Sequence, residues 1–142
     1  MHYIKRVLFP QMPDQTQASW LLLAARIVFG ALLMSHGIDT WMSTENASLS
    51  FPDPLGIGSM LSFSLVIFAE ILCSAGFILG ALYRLCLIPM IFTMCMAFFV
   101  IHADDPFVIK ELAFIYLVVF VLMFLYGPGK FSIDSAIKKA IE

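Results

Sequence analysis

Charged residues are scarce in this sequence. They make up 13% of its 142 residues, about half the share usual in a soluble domain. That leaves too little polar surface for a water-soluble fold of this size. The net charge of −2 excludes the basic footprint of a nucleic-acid-binding protein. Cysteine is nearly absent as well, with three residues and no C-x-x-C pair. This argues against direct thiol–disulfide exchange and makes Cys73, Cys86 and Cys95 small apolar packing residues. Also missing is a secretory leader. The segment before Trp20 carries Lys5, Arg6, Pro10, Pro13 and Asp14, without an apolar core and a small-residue cleavage site.

What the chain has instead is apolar length. Hydrophobic residues account for 61% of it and the mean hydropathy is +0.96. Four runs are long enough to cross a membrane, at about 20 residues per helical span. They cover about 20–41, 60–82, 85–101 and 107–126. Trp20 and Trp41 bracket the first, as interfacial tryptophans do. Residues 42–55, with Pro52, Asp53 and Pro54, read as a loop; Tyr83-Arg84 reads as a tight link, and Ala103-Asp104-Asp105-Pro106 as a turn. The expected fold is therefore an all-α membrane protein: a four-helix antiparallel bundle forming a single domain over 1–142. Pro89 should bend the third span, and Gly76 and Gly80 offer a small-residue face for helix packing.

Lys5, Arg6, Arg84, Lys130, Lys138 and Lys139 fall on one side of this topology, while only Lys110 falls on the other, beside Glu45, Asp53, Asp104 and Asp105. The positive-inside rule then predicts that both termini are cytoplasmic. Residues 130–142 predict an interfacial amphipathic helix. Ser132 is its N-cap, Asp134 sits in its first turn, and Ile133, Ile137 and Ile141 form its apolar face.

Ionisable residues inside spans cost ~2.5–3.5 kcal/mol near the bilayer centre and by default face protein or a wet cavity. Here they are Arg26, His36, Asp39, Glu70, His102, Lys110 and Glu111. Glu70 falls near the midplane, too deep for a short side chain to reach water. His36, His102 and Glu111 share one outer layer above it, and Arg26 is long enough to extend towards Glu70. The expectation is a polar cavity opening to the outer face, lined by Arg26, His36, Glu70, His102 and Glu111. Histidine with carboxylate suits proton exchange with a small polar or quinone-like ligand. The plainer alternative is an Arg26–Glu70 ion pair, with the others merely interfacial; Asp39 and Lys110 fit that alternative better. No helix carries two metal ligands at paired spacing, so no metal site is expected.

Several segments in order resemble the DoxX family of small four-helix membrane proteins. They are Arg26-x-x-x-Gly30 with His36-Gly37, Phe68-Ala69-Glu70 followed by Gly76 and Leu79-Gly80, His102 and Glu111 around the third loop, and Gly127-Pro128-Gly129-Lys130-Phe131-Ser132-Ile133-Asp134. Many members carry a lysine shortly after His-Gly; here Asp39 and Thr40 follow Ile38. The resemblance implies a protein of a bacterial-type inner membrane, accessory to redox chemistry, with a quinone as the candidate cofactor. Its partners would be the lipid bilayer and a larger membrane or redox complex, with a homo-oligomer left open. A non-enzymatic scaffold or assembly subunit is the competing reading, and a small-molecule carrier ranks last because no inverted repeat is visible.

Overall fold

A computed structural model of the chain describes residues 12–43 and 48–142. Lys5, Arg6 and Glu45 of the charge pattern lie outside the described residues. Among those described, the regular structure is entirely helical: α1 (Gln15–Met42), α2 (Ser59–Leu79), α3 (Tyr83–Ile101), α4 (Phe107–Tyr126) and α5 (Ile133–Ile141). The first four are long and apolar enough to span a membrane, and most of their large apolar side chains lie on the outside of the bundle. Lipid is the solvent that such a surface fits.

The helix starts are set by local chemistry. α1 begins five residues before Trp20 because Asp14 and Gln17 form a capping box. The Asp14 carboxylate accepts the Thr16 and Gln17 N–H groups at 2.9 and 2.7 Å, and the Gln17 side chain accepts the Asp14 N–H at 3.3 Å. Polar Gln15 and Gln17 are thus helical although apolar content alone leaves them outside. Two helices contain a wider π-helical turn, Phe68–Cys73 in α2 and Ala97–Ile101 in α3. Each turn adds a residue relative to α-helical pitch and re-aims the side chains after it.

α1 buries one stripe, Arg26, Gly30, Leu33 and Gly37, against α2. At Gly37 the contact requires glycine, since a Cβ there would stand 2.7 Å from the Glu70 Cβ and 3.3 Å from the Glu70 carbonyl carbon. The core between α2, α3 and α4 is aromatic. Phe77 stacks on Tyr83 with centroids 5.5 Å apart and meets Phe120 edge-on at 5.4 Å, and Tyr116 stacks on Phe120 at 5.6 Å. Such pairs contribute ~0.5–1.5 kcal/mol each beyond their buried area.

One end of the bundle, where α1 starts and the tail returns, is closed by a clasp. α2 stops at Gly80, whose φ of +68° no L side chain adopts cheaply. Leu82 follows at φ +47° and offers α3 no capping side chain. The tail supplies the cap instead, because the Asp134 carboxylate accepts the Leu82 and Tyr83 N–H groups at 2.9 Å each. Asp134 N–H in turn donates to the Gly80 carbonyl at 2.9 Å. Ser132 caps α5 as expected, accepting the Ser135 N–H at 3.1 Å. Lys130 N–H reaches the Ser19 hydroxyl, and the Trp20 and Phe131 rings lie 4.4 Å apart. Gly76 and Gly80 both serve contacts within the chain: a Cβ would meet Cys86 Sγ at the first, and Ser132 and Arg26 at the second.

Candidate functional site

At the opposite end, the loop end, α2 and α3 diverge. α3 packs against the π-turn of α2 and against Ser74–Leu79, and only marginally against Ser59–Ile67. The divergence has identifiable causes: a π-turn in α2 at Phe68–Cys73 and a proline inside α3 at Pro89. Between the splayed halves lies a chamber of about 490 Å³, within the range that takes a small organic ligand.

α1 gives this chamber His36 and Thr40. α2 lines it with Ser62, Leu65, Val66, Phe68 and Glu70, and α3 with Pro89, Phe92, Thr93, Met96, Ala97 and Ile101. His102, just past α3, completes the wall, and the α1–α2 connection lays Phe51, Pro52, Pro54, Leu55 and Ile57 along the loop end. That connection is built around Asp53. Its carboxylate accepts the Ile57 and Gly58 N–H groups at 3.0 and 2.7 Å and the Ser62 hydroxyl at 2.8 Å. The bond from Gly58, then that from Ser62, favours the charged form and holds the Asp53 pKa below its ordinary value.

Glu70 is the chemical centre. It is 4% exposed, and its Oε2 is fully enclosed without a hydrogen-bond partner among the described residues. The three hydroxyls that line the chamber are committed: Thr93 donates to the Pro89 carbonyl, Thr40 to the His36 carbonyl, and Ser62 to Asp53. The Ser74 hydroxyl, four positions on in α2, is enclosed and like Glu70 Oε2 has no partner among the described residues. Buried polar atoms are nearly always satisfied, and this enclosed carboxyl oxygen beside the chamber is an exception. A neutral carboxyl there donates to a ligand carbonyl, and a carboxylate accepts from a ligand hydroxyl. His102 pairs with Asp105 at the rim, Nδ1 to Oδ2 2.6 Å. His36 borders both the chamber and a shallower groove with Asp39, Ser43 and Ser50.

Of the five residues expected to share a site, the structure gathers His36, Glu70 and His102. Arg26 is elsewhere. It is 1% exposed and points into the clasp, where its guanidinium donates to the Pro128 carbonyl at 2.9 Å and to the Phe131 carbonyl. No ion pair joins it to Glu70 among the described residues. The reason is the returning tail, whose carbonyls accept from both terminal guanidinium nitrogens at the other end of the bundle. Glu111 is exposed on α4, a helix that contributes no lining residue among those described. Lys110 is also outside the chamber; it donates to the Ala103 carbonyl at 2.9 Å and lies 5.1 Å from the Phe98 ring centroid. The expected cup open to the outer face is likewise altered, since the loop built on Asp53 lies along that end. Thr40, Ser62, Thr93, Asp53 and Asp105 were not singled out as site residues. Small hydroxyls spaced within otherwise apolar spans were the available signal.

Fold and site together define a four-span helical membrane protein with a chamber between its first three spans. The DoxX family profile matches residues 21–103, which include His36, Glu70 and His102, and the chain belongs to that family. No curated protein and no solved structure gives a significant match.

Proposed function

We propose that this protein is a redox-associated membrane accessory whose chamber holds a quinone-like ligand, with Glu70 as the group that bonds it. The observation that carries this reading is the unpartnered, enclosed Glu70 Oε2 beside a mostly apolar chamber with the aromatic side chains Phe51, Phe68 and Phe92 in its wall. Apolar walls with few placed polar groups are what a planar ring with exocyclic oxygens requires. A bound quinone supplies two-electron, two-proton chemistry. The chain's own part is to bind and orient the ring and to exchange a proton at Glu70. His36, which borders the outer groove, and the His102–Asp105 pair connect the chamber with water.

In this reading the clasp end is cytoplasmic and the membrane is the inner membrane. Arg84, Lys130, Lys138 and Lys139 lie at that end, against Lys110 at the loop end. Gently purified protein extracted and analysed by mass spectrometry should yield quinone. Glu70→Gln should lower its occupancy at least about tenfold while the helical circular-dichroism signal is unchanged. Unaltered occupancy in that variant rejects Glu70 as the ligand's partner. A stoichiometric protein partner with no quinone favours a scaffold instead.

A further inference from the structure

The chamber has an open side, and its depth identifies what lies beyond it. Leu55, Ile57, Leu65, Phe68, Phe92 and Ile101 line the chamber and are also 40–52% exposed, whereas Glu70 at its inner end is 4% exposed. Phe92 lies midway between Tyr83 and Ile101, about 13 Å from either end of α3 at ~1.5 Å per residue. A hydrocarbon core is ~30 Å thick, so an opening at Phe92 faces acyl chains. Leu65, on the diverging half of α2, and Phe68, at the start of its π-turn, line the same chamber as Phe92. The exposed residues lining the chamber are apolar apart from His36, which also borders the outer groove, and the loop end is overlaid by Phe51, Pro52 and Pro54.

We infer that the chamber takes a membrane-borne amphiphile, with access from the bilayer and not from water. Its compact ring headgroup reaches Glu70, and its hydrocarbon tail leaves past Leu65, Phe68 and Phe92. The gap exists because the π-turn and Pro89 let α2 and α3 part on the loop side of Glu70. A tail in the gap contacts the same side chains that otherwise contact lipid. The headgroup is then drawn in by Glu70 Oε2, the enclosed polar atom on a lining residue that has no partner among the described residues. This inference rests on the chamber being a ligand site, and the test separates the two.

The full chain is placed in phosphatidylcholine nanodiscs and offered two benzoquinones, one with a decyl tail and one bearing only methyl groups, each compared at equal concentration within the membrane. Equilibrium binding is measured for the native chain, Leu65→Trp and Glu70→Gln. The expected result is decyl-quinone binding at least about tenfold tighter than that of the tail-less ring. Leu65→Trp, which narrows the opening, should then weaken the decyl-quinone by a larger factor than the tail-less ring and so remove most of that advantage. Glu70→Gln should weaken both. If both rings bind equally and Leu65→Trp changes neither, access through the bilayer is overturned while the ligand site stands. If neither binds the native chain, the ligand-site reading fails and this inference fails with it. Should Leu65→Trp misfold, Leu65→Ala widens the same opening; an unchanged preference for the decyl tail supports the inference, and loss of that preference overturns it.

Discussion

Replacing Asp134 with alanine should unfasten one end of the bundle. The side chain lies two residues into α5, yet it caps α3 by accepting the Leu82 and Tyr83 N–H groups at 2.9 Å each. α3 has no cap of its own, because Leu82 precedes it in a left-handed conformation without a side-chain oxygen. Loss of an N-cap costs about 0.5–2 kcal/mol, and a hydrogen bond to a charged acceptor is worth ~1.5–3 kcal/mol. Asp134 also acts electrostatically on buried Arg26. A destabilisation of about 2–3 kcal/mol follows, or roughly a 30- to 150-fold fall in the ratio of folded to unfolded chain. Asp134→Asn keeps one acceptor oxygen and should lose about half as much. The assay is equilibrium unfolding in mixed micelles, followed by maleimide labelling of Cys73, a buried core thiol, in a chain whose other cysteines are replaced by serine. Unchanged protection of Cys73 in Asp134→Ala refutes the capping argument. Equal losses for Asn and Ala would show that charge, and not hydrogen-bond acceptance, is what α3 requires.

Three further outcomes test other parts of the structure. Gly37→Val places a side chain 2.7 Å from the Glu70 Cβ, where overpacking costs about 1–3 kcal/mol; α1 should be pushed from the π-turn and ligand affinity should fall at least about tenfold, read by equilibrium binding. Arg26→Lys replaces a fork that serves two carbonyls with a single ammonium, so stability in mixed micelles should fall by about 1.5–3 kcal/mol, while affinity of the folded protein stays within about twofold. Asp53 has a folded pKa held below 3.8 by its bonds from Gly58 and Ser62. Its stabilising effect is complete above the unfolded value and disappears as pH falls through the lower folded value. Protection of the Ile57 and Gly58 amides, taken relative to the intrinsic exchange rate at each pH, should stay high at neutral pH and fall only in that acid range, whereas in Asp53→Ala it should be low throughout.

The spans and the capped tail were legible because each depends on neighbours in sequence. Hydropathy located α4 at Phe107–Tyr126, and Ser132 with the residues after it announced α5. The burial of Glu70 was legible as well, since a carboxylate far from both ends of a span is turned away from lipid. Arg26 shows where this reasoning stops. Its partners are carbonyls more than a hundred positions away, and backbone acceptors carry no side-chain signature. Glu111 was misassigned because depth along a helix is readable from sequence but rotation about it is not. The π-turns were invisible for a related reason: one extra residue per turn leaves composition unchanged while re-aiming every side chain beyond it.

The clasp has a consequence for how the molecule is made. The Arg26 guanidinium lies in the first span to leave the ribosome, but the carbonyls that receive it belong to Pro128 and Phe131. Until those residues are synthesised, a charge in the nascent first helix must be solvated by water or lipid headgroups, since hydrocarbon offers no acceptor. α3 waits in the same way for Asp134. Completion of this end of the bundle is therefore tied to arrival of residues 128–134, and a chain released before them would leave a cation in the membrane without its partners.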